Sequence, residues 1–496
     1  MKILFIWPKY PDTFWSFRYA LPFISKKAAF PPLGILTVAA LLPKEWEKKL
    51  IDLNVEKLKD EDVLWADFVF ISAMIVQKES VKEIIERTKE LGVKIVAGGP
   101  LFTTGYEEFL EDINHFVLGE AEDILSLFLE DLKNGSLKKI YKVNEWPDIK
   151  SSPVPLWELI DMRKYATMGT QYSRGCPFNC EFCDIALLNG RIQRVKDKNQ
   201  ILRELNVLYD RGWRGNVFIV DDNFIGNKVK LKEEILPAMI EWMKKRNYPF
   251  SFNTQVSINL ADDKKLMELM VEAGFASVFV GIETVEEESL TECGKFQNLN
   301  RNLLASVRTI QNQGLQVQGG FILGFDNDTP SIFERIINFI QRSGVAAAMV
   351  GLLNAPPKTR LYQRLKAENR LIGEPTGNNT DCTLNFIPKM NYQVLISGYK
   401  RVINNIYLPK HYYQRLTTFL KKYKPKRKRY FRFNLQNFLA LLKSIWILGI
   451  KERERAYYWK LIFWSLFKKP KLFPMAVELA IWGFHFRKIS ESYLFS

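Results

Sequence analysis

The sequence predicts an α/β protein with an N-terminal doubly wound parallel-sheet domain, a central partial (β/α)6 barrel of the TIM type and a mainly helical C-terminal extension. Two series of short apolar segments predict the two sheets, because helix-length stretches separate them and parallel strands need such crossovers. After about residue 385 the strand rhythm ends and helical patterns continue. We therefore predict domains at residues 1–145, 166–384 and 385–496, with a proline-containing linker at 146–165.

The first domain contains five predicted strands, at residues 2–7, 49–53, 66–72, 93–97 and 115–118. Helical patterns lie between them, and one helix begins at Pro31-Pro32-Leu33-Gly34. Ligands bind to such sheets at the carboxyl ends of the strands, where glycines 98, 99 and 119 lie. Neither G-x-G-x-x-G nor G-x-x-x-x-G-K-[ST] occurs, which disfavours a dinucleotide or ATP as the ligand.

The second domain contains six predicted strands, at residues 170–173, 216–220, 250–254, 277–282, 317–323 and 347–353. Six strand–helix units predict an incomplete parallel barrel whose active site lies at the carboxyl ends of its strands. Three of the five cysteines lie there, in the segment Cys176-Pro-Phe-Asn-Cys180-Glu-Phe-Cys183 that follows the first of these strands. So few cysteines in 496 residues do not form a disulfide framework and instead suggest metal binding in a reducing compartment.

Thiolates bind iron–sulfur clusters or zinc. Closed structural zinc needs four ligands, and the nearest histidines, His115 and His411, are distant in sequence. Three thiolates on a 4Fe–4S cluster leave one iron open, and an open iron can chelate a substrate. The alternatives are a zinc site completed from elsewhere in the chain and three unrelated buried thiols.

This cysteine spacing resembles the signature of the radical S-adenosylmethionine superfamily. The resemblance implies that the open iron holds the amino and carboxylate groups of S-adenosylmethionine, whose reductive cleavage yields a 5′-deoxyadenosyl radical that abstracts a substrate hydrogen. It also implies that Phe182 packs on the adenine. The other strand ends supply the remaining predicted contacts with S-adenosylmethionine: Asp221 and Asp222 near the methionyl amino group, Gln255, Glu283 at the ribose, and Gly320 and Gly324 near the adenine. Residues 221–223 could instead simply cap the next turn.

A parallel α/β domain before such a barrel resembles the cobalamin-binding subgroup of this superfamily. That resemblance implies cobalamin contacts at the strand ends of the first domain, namely Ser72, Gly98, Gly99, Pro100, Gly119 and Glu120. The chain departs from one pattern, because Asp-x-His-x-x-Gly is absent and no histidine lies near Asp52-Leu53-Asn54. Cobalamin would therefore have no axial histidine. The alternative is a domain that kept the sheet and lost the ligand.

The C-terminal region carries the positive charge of the chain. Residues 401–496 hold 21 Lys+Arg and 4 Asp+Glu, whereas the preceding 400 residues hold 50 and 51. The basic run at 421–429, with Trp446, Trp459, Trp464 and Trp482 after it, favours the surface of an anionic membrane. RNA binding and a solvated helical cap are the alternatives. No stretch reaches the ~20 apolar residues of a spanning helix, and residues 3–7 are too few for a signal peptide.

The resemblance narrows to the hopanoid carbon-2 methylases and the archaeal tetraether-lipid ring synthases. It depends on Gln171-Tyr172-Ser173-Arg174-Gly175 before the cysteines, on Asp184-Ile185 and Gly190-Arg191 after them, and on residues 385–390. It implies cobalamin-dependent methylation of an unactivated carbon, with a small molecule or an isoprenoid or membrane lipid as substrate and flavodoxin or ferredoxin as electron donor. The predicted location is cytoplasmic, and the membrane interpretation adds peripheral contact at the inner face through the C-terminal region.

Three other functions remain open. One is radical carbon–carbon bond or ring formation on a lipid without methyl transfer. Another is an RNA-modifying, methylthiolase-like enzyme, but nucleic acid is disfavoured because a second cluster would have only Cys293 and Cys382 as ligands. The last is a non-enzymatic electron-transfer or lipid-binding protein.

Overall fold

A computed structural model describes residues 1–425 and 435–494. The N-terminal domain is a six-stranded parallel sheet in the order β2-β1-β3-β4-β5-β6, which confirms the doubly wound prediction. The strands are β1 (Lys2–Trp7), β2 (Glu47–Asp52), β3 (Phe68–Ser72), β4 (Lys94–Gly98), β5 (His115–Leu118) and β6 (Ile140–Lys142). Strand β6 was not predicted. The helices are α1 (Leu33–Leu41), α2 (Asp60–Leu64), α3 (Lys78–Glu90), α4 (Pro100–Gly105) and α5 (Ala121–Lys133).

Strand β1 is an interior strand that is covered on both faces. Residues 3–6 are apolar and no more than 1% exposed, as expected for a parallel strand with helices on both faces. The strand order reverses direction at β1, and ligands of such sheets bind at the carboxyl edge beside that switch point. The candidate residues at the ends of β3, β4 and β5 lie on this edge.

The second domain is a six-stranded parallel sheet in the order β14-β13-β12-β11-β10-β7, as the partial barrel predicts. Its strands are β7 (Thr167–Thr170), β10 (Asn216–Ile219), β11 (Ser251–Val256), β12 (Phe275–Glu283), β13 (Gln316–Leu323) and β14 (Ala348–Leu352), and a two-residue antiparallel pair, β8 (Ser173–Arg174) and β9 (Arg194–Val195), lies between β7 and β10. The helices are α6 (Ile185–Leu188), α7 (Lys198–Asp210), α8 (Lys228–Lys230), α9 (Leu236–Lys245), α10 (Lys264–Ala273), α11 (Glu287–Glu292), α12 (Leu303–Asn312), α13 (Ile332–Ser343) and α14 (Arg360–Ala367).

The prediction of the first barrel strand was wrong in position. The strand ends at Thr170 rather than at residue 173, and residues 173–174 pair with β9 instead. Asp221, at the end of β10, accepts hydrogen bonds from the Tyr172 amide and the Ser173 hydroxyl. These bonds direct the chain away from the sheet before it reaches the cysteines.

The C-terminal extension is helical, as predicted. It consists of α15 (Tyr392–Tyr407), α16 (Pro409–Lys422), α17 (Leu435–Trp446), a π-helical turn at Ile447–Lys451, α18 (Arg455–Lys468) and α19 (Phe473–Leu494). Residues 426–429 of the predicted basic run lie outside the described residues. Within residues 1–425 and 435–494, no helix is both long and apolar enough to cross a bilayer.

The loop between β1 and α1 contacts all three parts of the chain. Phe14 stacks on Phe486 of α19, with ring centroids 4.1 Å apart. The buried His485 fixes this packing: its Nε2 donates to the Phe14 carbonyl (3.0 Å), and its Nδ1 accepts from the Tyr19 amide (3.4 Å), so the imidazole is neutral. On the other side, the Trp15 indole donates to the sulfur of Met349 on β14 at 3.0 Å.

Candidate active site

The three candidate cluster thiols lie on one loop between β8 and α6. Gly175 begins it at φ +92°, where a Cβ would be 2.6 Å from the Ile192 carbonyl, so the turn requires glycine. The Cys176 amide donates to the Gly190 carbonyl at 3.2 Å, and the Cys183 amide donates to the Cys180 carbonyl at 3.1 Å. The loop backbone is therefore held in a defined conformation.

The three thiols lie within eight residues of one another on this loop, and their pKa values are linked. Burial raises the pKa of each thiol, and the charge of Cys180 contributes to the raised pKa of both Cys176 and Cys183. Partly buried thiols of this kind become thiolate ligands when a bound metal supplies positive charge. The donor set therefore fits an iron–sulfur cluster. In the described part of the chain, no three His, Cys, Asp or Glu side chains converge as ligands of a single metal ion.

Two ion networks fix this loop at its ends. Glu181 binds Arg364 of α14 at 2.7 Å, and Arg364 also binds Asp326 at 2.8 Å. At the other end, Arg174 binds Glu120 at 2.6 Å and is joined to the first domain through it. These contacts were missed from the sequence, because nothing in local spacing pairs residues so far apart.

Asp221 and Asp222 differ in their surroundings. Asp221 is fully buried, its two carboxylate oxygens bind residues 172–173, and burial raises its pKa to about 7. Asp222 is half-buried, and its Oδ2 accepts from the Gly175 amide (3.2 Å) and the Asn189 side chain (2.9 Å). Its charge also contributes to the raised pKa of Cys176, so Asp222 lies beside the cysteine loop. Asp221 is thus placed to position the backbone.

At the end of β12, an ion pair lies close to the cysteine loop. Glu283 has φ +62° and pairs with Lys295 at 2.6 Å, and both side chains are about one-tenth exposed. Burial raises the pKa of Cys180, and the nearby Lys295 ammonium partly offsets this. Asn298 donates to the carbonyls of Gly281 (3.2 Å) and residue 282 (3.0 Å). Lys295 and Asn298 were not identified from the sequence.

Two buried oxygens near Glu283 and the thiols have no hydrogen-bond donor among the described residues. One is Asn298 Oδ1, in a residue only 1% exposed, and the other is Oε1 of Gln297, whose side chain also hydrogen-bonds the Cys180 thiol. An unsatisfied buried acceptor is costly unless a bound molecule supplies the donor. Such oxygens suit the ammonium and hydroxyl groups of S-adenosylmethionine.

Glycines in and after β13 leave no side chain next to the neighbouring strand β12. A Cβ at Gly320 of β13 would be 2.9 Å from the ring of Phe279 on β12, and Gly324 has φ +104°. Phe182 lies near Phe325, with ring centroids 6.2 Å apart, so the predicted adenine contacts from the cysteine loop and from β13 do meet. Gln255, on β11, is half-buried two strands from β13 and beside Phe279 in the β11–β12 register.

The concave face of the barrel carries both aromatic and polar side chains, since Phe218 and Phe279 pair in register with Asn253 and Gln255 of β11. Phe279 and Glu283 both lie within 4 Å of the position that a Cβ on Gly320 would occupy, so they share this face of the sheet. The Trp15 ring lies 5.4 Å from Phe279, and Phe30 lies 5.6 Å from Phe218 of β10. The loop after β1 thus supplies aromatic side chains to the barrel.

At the edge of the first sheet, the structure brings most of the candidate cobalamin residues together. Gly99 has φ +87°, and a Cβ there would be 2.5 Å from the Ser72 hydroxyl. A Cβ at Gly98 would be 2.9 Å from the Val117 carbonyl, and Pro100 begins α4. Gly119, at φ +107°, completes an edge where backbone can approach a large ligand closely.

Glu120 is the exception among these residues. Its carboxylate binds Arg174 and Arg194 of the barrel, and Arg174 also binds Glu122 at 2.7 Å. All four side chains are at most 15% exposed. Burial acts to raise the pKa of Glu122, but the Arg174 guanidinium lowers it overall. Glu120 therefore joins the two domains.

The region around Asp52 has hydrogen-bond partners within the protein. Its carboxylate accepts from the Tyr165 hydroxyl at 3.0 Å and from the Asn54 side chain at 2.8 Å. The three histidines hydrogen-bond elsewhere, on β5, α16 and α19.

Comparison with known proteins identifies the class of protein. The family profile of the radical SAM superfamily matches residues 170–340, that of the B12 binding domain matches 24–129, and that of a domain of unknown function, DUF4070, matches 359–494. The chain belongs to the cobalamin-binding radical S-adenosylmethionine methyltransferase family. Membership implies a 4Fe–4S cluster, S-adenosylmethionine and cobalamin as cofactors, together with a reductant and a small-molecule substrate.

Two relatives are similar in sequence to the chain over most of its length. An uncharacterized methyltransferase of Synechocystis is 41% identical over 99% of this chain and 92% of its own. The hopanoid C-2 methylase of Rhodopseudomonas palustris is 33% identical over 92% of this chain and 88% of its own. The predicted resemblance to the hopanoid carbon-2 methylases is therefore confirmed.

Solved structures agree with the fold. The cobalamin-dependent radical enzyme OxsB, with aqua-cobalamin and S-adenosylmethionine bound, has a TM-score of 0.64 at 15% identity and covers 99% of this chain and 84% of its own. The methyltransferase TsrM of Kitasatospora setae, with cobalamin and a [4Fe–4S] cluster bound, has a TM-score of 0.62 at 13% identity and covers 99% of both chains.

Proposed function

We propose that the chain methylates an unactivated carbon of an apolar, isoprenoid-type lipid. The observation that carries this proposal is a cysteine loop of defined conformation at the mouth of a barrel whose concave face receives aromatic surface from Trp15 and Phe279. The hopanoid C-2 methylase relative supports a lipid substrate. A lipid has few polar groups for recognition, so an apolar surface of matching shape is the expected means of binding it.

Each part of the site has a proposed task. Cys176, Cys180 and Cys183 hold the 4Fe–4S cluster. When bound, the cluster, S-adenosylmethionine and cobalamin supply hydrogen abstraction and a methyl group. Asp222 and the free oxygens of Gln297 and Asn298 accept hydrogen bonds from S-adenosylmethionine. The remaining predicted contacts with S-adenosylmethionine stay as proposals: Phe182, Asp221 through the backbone, Gln255, Glu283, Gly320 and Gly324.

The first domain supplies the other half of the proposed site. Ser72 and the glycines at 98, 99 and 119, with Pro100, line the cobalamin edge, whereas Glu120 holds this edge against the cysteine loop. Trp15 and Phe279 exclude water and orient the apolar substrate. A flavodoxin or ferredoxin is the proposed electron donor.

Deoxyadenosine formation tests the radical part of the proposal. Anaerobically reconstituted protein should form 5′-deoxyadenosine from S-adenosylmethionine and reductant, and Cys183→Ala should abolish this. The matched control is Cys382→Ala, a half-buried thiol that contacts the Tyr493 carbonyl in the C-terminal region and should remain active. Full activity of Cys183→Ala would contradict the proposal.

The fate of the methyl group tests the rest. With S-adenosylmethionine labelled in its methyl group, the label should appear in a lipid product. A product formed without label would favour the alternative of bond or ring formation. Comparing the lipids of a deletion strain with those of its parent should identify the substrate by the methylated species that disappears.

A further inference from the structure

An apolar row runs along one face of α17 and the following π-helical turn. Its members are spaced by three or four residues and are between 43% and 71% exposed: Leu435, Leu439, Leu442, Trp446 and Ile450. Residues at this spacing share one face of a helix. Helix α18 adds three more exposed apolar residues, Phe463, Leu466 and Phe467, the last of which is 75% exposed. We call these eight residues the apolar face.

The opposite side of α17 is fixed to the rest of the protein. Ala440, Ser444 and Leu448 are buried, and the Ser444 hydroxyl hydrogen-bonds the Tyr458 hydroxyl of α18 at 2.8 Å. Gln436 donates to the Ile24 carbonyl at 2.7 Å, in the loop after β1. The helix is therefore firmly placed, and the apolar face is not an incomplete core contact.

The charge around the apolar face has one sign. Every exposed charged side chain between residues 435 and 471 is basic: Lys451, Arg453, Arg455, Lys460, Lys468 and Lys471. The two acidic residues in this segment, Glu452 and Glu454, are half-buried and bind Arg487 at 2.5 and 3.0 Å. The exposed surface of residues 435–471 thus combines large apolar side chains with cations that form no ion pair with another described residue.

We propose that the apolar face and its cations dock on the surface of an anionic lipid bilayer. Apolar side chains that enter the acyl boundary while neighbouring cations contact anionic headgroups are the physical basis of peripheral membrane binding. A second copy fits less well, because a two-fold interface would place these cations against their own kind. RNA fits less well, because most members of the face are aliphatic and do not stack on bases.

Docking here would deepen the proposed function, on which this role depends, by bringing the barrel to its lipid. Helix α17 packs on the 3-10 helix Leu21–Ile24, and Trp15 of the same loop contacts the concave face. The membrane-facing helix and the substrate-facing aromatic residue are therefore held by one connected segment.

Vesicle co-sedimentation of the full-length reconstituted enzyme tests docking. The enzyme should sediment with vesicles of phosphatidylcholine and phosphatidylglycerol, and at least tenfold less with phosphatidylcholine alone. Leu439→Ser/Trp446→Ser should reduce binding at least tenfold, and Lys460→Glu/Lys468→Glu should remove the preference for anionic vesicles. Matched controls are Leu64→Ser on α2, where the leucine is 60% exposed, and Lys133→Glu on α5, and both should bind as the unmodified enzyme does.

Three outcomes would overturn the docking proposal. They are wild-type enzyme that does not sediment with anionic vesicles, apolar-face variants that bind as the controls do, and a dimer or RNA complex that the same variants dissociate. All variants should still form deoxyadenosine, since none touches the cysteine loop. Vesicle binding without any lipid methylation would refute the proposed function and leave docking intact, so the two failures are distinguishable.

Discussion

Replacing Glu120 with glutamine should loosen the contact between the first domain and the cysteine loop. Glu120 binds Arg174 at 2.6 Å and Arg194 at 2.9 Å, and its side chain is only 6% exposed. Arg174 stands two residues before Cys176, so a change in its position reaches the first cluster ligand directly. The substitution keeps the shape and one acceptor oxygen but removes the charge shared by two guanidinium groups.

The size of the effect follows from burial. Removing one partner of a buried ion pair costs about 3–5 kcal/mol, because the other charge stays desolvated and unpaired. The lower end applies here, since Arg174 keeps Glu122 and Arg194 keeps the Pro147 carbonyl at 2.8 Å. A cost of about 3 kcal/mol corresponds to local opening that is roughly 100-fold more frequent.

Hydrogen–deuterium exchange measures this opening where it occurs. The amides of Lys196 and Cys176 donate to Tyr172 (2.9 Å) and Gly190 (3.2 Å), so they report on the pairing that supports the loop. The control is Glu158→Gln, whose pair with Arg211 is about half-exposed and should change exchange less than about fivefold. Equal exchange in the two variants would refute the positioning role. Loss of cobalamin with unchanged exchange would instead support direct cobalamin contact by Glu120.

Three further predictions follow from the structure. Gly99→Ala should destabilise the protein by about 1–3 kcal/mol more than Gly92→Ala in urea unfolding, because both glycines have positive φ but only Gly99 lacks space for a Cβ. Gly99→Ala should also weaken cobalamin binding, which absorbance measures. Gly320→Val should collide with Phe279 and reduce S-adenosylmethionine affinity at least tenfold by calorimetry, a loss of about 1.4 kcal/mol. Burial lowers the pKa of His485 to about 4, so below pH 6.5 the folded chain binds fewer protons than the unfolded chain and becomes less stable. This residue should therefore lower the free energy of unfolding by about 2 kcal/mol between pH 7.5 and pH 5, and His485→Gln should abolish that decrease.

The sequence predicted those parts of the site that depend on local pattern. Apolar runs at helix-length spacing located five of the six strands of the barrel sheet, and parallel strands must present their carboxyl ends on one edge. Ser72 and Gly99 could therefore be placed together without any knowledge of their contact. The thiol spacing identified the cluster loop for the same reason, because ligands on one short loop need no distant partner.

Distant partners could not be predicted in this way. Glu120 looked like a ligand at a strand end, yet its partner Arg174 is 54 residues away, and no periodicity joins the two. Lys295 lies 12 residues after Glu283 in a segment without regular spacing, so its ion pair had no sequence signal. The first barrel strand was placed too late because Asp221, which binds the Tyr172 amide and bends the chain there, follows a strand distant in sequence.

The loop after β1 shows the same limit on a larger scale. Its aromatic residues have no strand or helix periodicity, so the sequence gives no reason to treat them as more than a connection. In the structure, Phe14 stacks on α19 and Trp15 contacts the barrel, so this loop fixes the C-terminal helices relative to the concave face. The helical extension is thus part of the structure that shapes the substrate site. A change in the packing of α19 should therefore reach the barrel through this loop, although no residue of α19 need touch the substrate.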